Sequence, residues 1–184
     1  MTVVVDGTTG IDTIQDRVVT PAKQSQPLTL GTAQTTTSGT SIDFTSIPSW
    51  VKRITVMLSG VSTNGTSFPQ FQLGDSGGVE VSGYLCAATS VAAAAVATAN
   101  ATTGFILNRG DTTSVIHGSI VFTLVDFASN TWTASGNFGL SNSTFLLITS
   151  GSKSTSSILD RIRLTTVNGT DTFDAGSVNI LYEG

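Results

Sequence analysis

"FQLGDSGGVEV", residues 71–81, admits two readings that lead to different folds. Its centre, Gly74-Asp75-Ser76-Gly77-Gly78, spells the surroundings of the nucleophilic serine in two-barrel serine proteases, and it is equally a glycine-rich turn between two strands. A serine hydroxyl attacks only when a histidine accepts its proton and a carboxylate holds that histidine, so the partners decide. The chain has one histidine, His117, and it follows Ser76, whereas the protease order is His, Asp, Ser. A chain of 184 residues also leaves little room for two barrels. The stretch therefore reads as a tight turn joining "PQFQL" to "VEVSGY", with Gly77 and Gly78 supplying positive φ.

The same alternation continues on both sides of that turn. "RITVMLS" sets Ile54, Val56 and Leu58 on one face against Arg53, Thr55 and Met57. "SVIHGSIVFTLV" turns Ile116, Ile120, Phe122 and Leu124 inward, with His117, Ser119, Val121 and Thr123 outward. "ILDRIRLTTV" alternates Ile162 and Leu164 with Arg161, Arg163 and Thr165, and "SVNILYE" places Val178, Ile180 and Tyr182 together. With "SIDFTSI", "FPQFQLG", "VEVSGY", "FILN", "NTWTASGNF" and "STFLLITS" the chain holds about eight to ten strands separated by Gly, Ser, Asn and Thr. The expectation is an all-β protein, an antiparallel β-sandwich of jelly-roll type, over residues 28–184. "CAATSVAAAAVATANATTG", residues 86–104, mixes helix-favouring alanine with β-branched residues and is expected to be a long loop.

Composition narrows the function classes. Charged residues are 11% of the chain, against about 25% in ordinary soluble proteins. Mean hydropathy is +0.24, yet the longest apolar run, Val91 to Val96, falls far short of the roughly 20 residues of a spanning helix. Outward positions are short and uncharged, which suits packing against further copies. Net charge is −4 with scattered basic residues, which argues against nucleic-acid or membrane partners. The single cysteine, Cys86, excludes an internal disulfide and reads as a small buried apolar residue. With one histidine and one cysteine, no metal site and no cofactor are expected.

Individual residues carry sharper alternatives. Carboxylates such as Asp75, Asp111, Asp126 and Asp171 could form a glycosidase pair, but in "RGDTT" and "NGTDT" they read as turn formers, so no catalytic residues are assigned. Trp132 is a candidate for stacking on a glycan, although Ala134 and Phe138 on its own strand face also suit a core position.

Residues 1–27 differ from the rest. A short strand with Val3 and Val5 leads through a Gly/Thr turn to "IDTIQDRVV", where Ile11, Ile14 and Val18 recur at helical spacing before Pro21 and Pro27 extend the chain. Such a segment cannot bury its own apolar face and is expected to anchor on a partner surface.

"TVVVDGTTGIDTIQDRVVTPAK", residues 2–23, resembles the opening of tailed-phage tail-fibre and virion-appendage proteins. Ile42 to Tyr84 is similar to a compact β-domain of phage and prophage structural proteins, and "FDAGSVNILYEG" to its last strand. This resemblance covers nearly half the chain. It implies a component of the virion exterior, homotrimeric, docked on other virion proteins by its N-terminal segment. The chain lacks the shaft repeats of long fibres, which favours a short appendage or decoration protein. The alternative is a receptor-binding module for host-surface glycans.

Overall fold

The computed structural model describes residue 26 and residues 28–184. The proposed anchor residues Val3, Val5, Ile11, Ile14 and Val18, and the helical spacing they sit in, lie outside the described residues. Fourteen strands and no helix are found among the described ones. They are β1 (Thr29–Leu30), β2 (Gln34–Thr35), β3 (Ser41–Phe44), β4 (Arg53–Thr63), β5 (Pro69–Asp75), β6 (Gly78–Val79) and β7 (Leu85–Ala92). There follow β8 (Ala95–Ala101), β9 (Phe105–Ile106), β10 (Ile116–Asp126), β11 (Thr131–Leu140), β12 (Leu146–Ser154), β13 (Arg161–Thr166) and β14 (Phe173–Glu183). The count exceeds the sequence expectation because four of the strands are two-residue pairings.

Two antiparallel sheets pack as the expected sandwich. The nine-stranded sheet runs β1-β14-β4-β10-β11-β12-β7-β8, with β2 also on β14, and the five-stranded sheet runs β3-β13-β5-β6, with β9 beside β6 on the free side of β5. Taken in chain order, successive strands from β2 to β5 alternate between the sheets, and β13 and β14 insert between earlier strands. This interleaving is the strand order of a jelly roll, to which the hairpins β11–β12 and β7–β8 add a four-strand extension on the larger sheet.

The core forms where the inward positions of both sheets meet. Ile54, Val56, Leu58, Ile120, Phe122, Val178 and Ile180 on the larger sheet face Ile42, Phe71, Leu73, Ile162 and Leu164 on the smaller, all buried. An aromatic chain runs through it. Tyr84 meets Phe105 edge-on at 5.1 Å, Phe105 meets Phe122 at 5.6 Å, and Phe71 lies 6.2 Å from both Phe122 and Phe138.

Residues 86–104 depart from expectation. Instead of a loop they form most of the β7–β8 hairpin, paired from Cys86↔Ala101 to Ala92↔Ala95, while β7 pairs β12 from Leu85↔Ser152 to Val91↔Leu146. Alanine's weak preference for helix yields here to two ladders of backbone hydrogen bonds, and its small side chain fits a sheet as readily as a helix. "VEVSGY" also differs, since only Gly78–Val79 pairs and the chain then bends toward Tyr84.

Candidate assembly surface

The Gly74–Gly78 turn has a structural explanation for each of its residues. Asp75 pairs with Gly78 around a two-residue loop, and Gly78 takes φ +130°, open to glycine. Gly77 is not in the positive-φ region, which corrects that part of the sequence reading. A Cβ on Gly74 would lie 2.3 Å from the Gly78 carbonyl oxygen, so glycine is required there for close approach. Asp75 accepts from the Gly77 N–H at 2.8 Å and from Ser156 Oγ at 2.5 Å. Ser76 itself is exposed.

The chain's one histidine does not stand beside it. His117 accepts a hydrogen bond from the Gly60 N–H at 3.2 Å, near the start of β10. The β10–β11 turn, whose Asn130 carbonyl accepts from the Thr155 N–H at 3.1 Å, connects through Ser156 to Asp75. His117 is therefore removed from the Asp75 turn by most of the length of β10, about 30 Å at about 3.3 Å per residue.

The loop that follows the turn is pinned to the larger sheet. The Ser156 N–H donates to Glu80 Oε1 at 2.6 Å, and Lys153, 7% exposed, pairs with Glu80 Oε2 and lies 5.4 Å over the Tyr84 ring. The Tyr84 hydroxyl accepts from the Leu73 N–H at 2.7 Å and donates to the Glu80 carbonyl at 2.8 Å, and burial pushes its pKa up. The Ser156 hydroxyl and the Gly77 amide hold the Asp75 carboxyl below its usual range. A carboxyl depressed in the folded state stabilises it above the unfolded value near about pH 4, and that contribution is lost as pH falls through the folded value. Asp75→Asn is therefore expected to flatten the acid limb of a stability-versus-pH curve below about pH 4. An unchanged acid limb in urea titrations at successive pH values would refute this.

Other singled-out residues have local roles. Asp111 and Asp126 close their turns by accepting from the Thr113 and Ala128 N–H groups, and Asp171 ties its turn to a distant one by accepting from the Ser67 N–H. Arg109 and Asp111 of "RGD" pair at 2.7 Å. Cys86 is buried, 3.5 Å from Thr149 Oγ1. Trp132 is also buried, 3% exposed, beside a cavity of about 10 Å³ lined by Val51, Leu124 and Leu159 among others. That space cannot admit a sugar ring, so the indole is a core residue and not a stacking platform.

The distinctive surface is the outer face of the larger sheet. Asp43–Arg163 and Asp160–Arg161 lie on the smaller sheet and Lys153–Glu80 at the turn, while Arg53–Glu183 borders this face on β4 and β14, Arg53 standing opposite Thr123. From β10 outward to β8 the outward positions carry one charged side chain among the described residues, Asp126, opposite Thr131 at the end of β10. The other outward positions are His117, Ser119, Val121 and Thr123 on β10, Thr133, Ser135, Asn137 and Gly139 on β11, and small or apolar residues on β12, β7 and β8. The larger apolar groups here are Leu85 (72% exposed), Val96 (69%), Leu146 (60%) and Ile148 (48%). Sequence reading anticipated the short, uncharged outward positions but missed these four. Leu146 and Ile148 sit in the unbroken apolar run "FLLI", whose phase alternation alone does not set, and Leu85 and Val96 lie in or beside the stretch read as a loop.

No protein-family model matches the chain, and no curated protein or solved structure does either.

Proposed function

We propose that the protein is a non-enzymatic structural component of a tailed-phage virion, a short homotrimeric appendage or decoration protein on the particle exterior, anchored by residues 1–27. The observation that carries the structural role is the distribution of charge: the sandwich presents one broad sheet face whose one charged side chain among the described residues, Asp126, stands at its end, a property suited to protein contact. The likeness of residues 2–23 and 42–84 to phage appendage proteins supplies the setting. The turn carboxylates are spent on backbone hydrogen bonds, which fits a scaffold. Burial of Trp132 removes the aromatic platform on which the glycan-binding alternative rested, so the structural reading is preferred.

Deleting residues 1–27 tests the anchor. The expected result is a folded β-rich body by circular dichroism that no longer appears in purified particles. A truncated chain that still incorporates would overturn the anchoring role.

A further inference from the structure

The outer face of the larger sheet ends at a strand edge unlike the others. Strand edges offer unpaired backbone groups to any passing strand, and natural sheets blunt them with short strands, charges or proline. The β1 and β2 edge of the larger sheet consists of two-residue strands, and the smaller sheet ends in β6 and β9, also two residues each, and in four-residue β3 with the Asp43–Arg163 pair beside it. β8 is different. It has seven residues, "AVATANA", without charge or proline, and among the described residues it pairs only with β7. Ala95, Val96, Ala97 and Thr98 are all exposed, so this half of the strand is open on both faces, while along it the Ala97 carbonyl accepts from Asn108 Nδ2 at 2.8 Å.

The same corner holds the apolar groups. Leu146 pairs with Val91 and Val91 with Val96, so the three form one row across β12, β7 and β8; Ile148 stands one row away and Leu85 lies at the far end of β7. Five strands about 4.8 Å apart, seven to eleven residues long with a mean of nine, at about 3.3 Å per residue span roughly 24 by 30 Å. That is about 700 Å², close to the ~800 Å² that one partner contributes to a standard stable interface. For a chain of net charge −4, association through a charged face would be opposed by like-charge repulsion, and the one carboxylate on this face, Asp126, stands at the end of β10 away from the apolar row.

We infer that the outer face of β10, β11, β12, β7 and β8 is where copies of this chain meet, turned toward a common three-fold axis with the Leu146–Val91–Val96 row against neighbouring copies. The inference rests on the proposed homotrimer and names the surface it uses. The contact covers the apolar row and shields the open half of β8.

Light scattering on the full-length chain tests it with a double variant, Val96→Lys with Ile148→Lys, and a control, Val167→Lys, on an exposed turn after β13. Wild type and control are expected at three times 18.9 kDa and the double variant at 18.9 kDa, with unchanged circular dichroism. A double variant that stays trimeric overturns the assigned face and leaves the homotrimer standing. A wild-type monomer at about 100 μM overturns the homotrimer itself, and the face with it. Ser150→Cys, treated with a short bismaleimide, keeps the question open to test if the lysine variant misfolds. The expected product is a cross-linked dimer absent from Val167→Cys, and equal cross-linking of the two would again reject the face.

Discussion

Phe71→Ala is expected to lower the unfolding free energy by about 3–5 kcal/mol, the largest effect of any single side chain considered. Phe71 is fully buried on β5, and its ring spans the gap between the sheets to Phe122 and Phe138, each 6.2 Å away. Removing it deletes apolar area and leaves a cavity whose walls are strands held in register on both sides, β13 on one edge of β5 and β6 and β9 on the other. Such walls collapse poorly, which places the loss toward the upper part of the range for aromatic truncations. Urea denaturation should show a lower midpoint with an unchanged slope. Phe71→Leu, which keeps most of the volume, should lose much less. Equal losses for the two variants would mean that packing around the ring is loose.

Glu80→Ala is expected to destabilise by about 3 kcal/mol, because it strands a charge instead of opening a hole. Lys153 is only 7% exposed, and besides Glu80 its ammonium meets the Ser154 carbonyl at 2.7 Å and the Tyr84 ring. Without the carboxylate these leave the cation underneutralised in a poorly solvated place. The variant also loses the 2.6 Å bond from the Ser156 N–H. Lys153→Met should be milder, since Glu80 is more exposed and keeps Ser156 as a donor. Combining Glu80→Ala with Lys153→Met should then recover part of the loss, with a coupling of about 1 kcal/mol or more between neighbours in one network. Strict additivity of the two substitutions would show that the pair is not coupled.

These two sites mark how far the sequence was legible. Phe71 could be placed in the core from "FPQFQLG" alone, because period two sends Phe71 and Leu73 to one face. The Glu80–Lys153 pair could not, since its members are 73 residues apart and meet only because β6, which Glu80 follows, and β12 belong to different sheets closed on each other. Trp132 shows the same limit from the other side: its alternation with Ala134 and Phe138 allowed a core position, and burial on the finished sandwich decided it. The serine motif was resolved in the sequence by its lack of partners. That its aspartate would be tied to Ser156 was not visible there.

By itself the sequence determined the all-β class, the inward faces of its long strands, the turn at Gly74–Gly78 and the scarcity of charge. Each of these follows from local rules, the two-residue period of a strand and the backbone freedom of glycine. Only the tertiary structure decided that residues 86–104 form a hairpin, that it lies at the edge of the larger sheet, and that Leu85, Val96, Leu146 and Ile148 share one face. The reason is that strand pairing is non-local. An alanine-rich stretch has no strong preference of its own, and β12, more than forty residues further along the chain, supplies the hydrogen-bonding partner that makes it a strand.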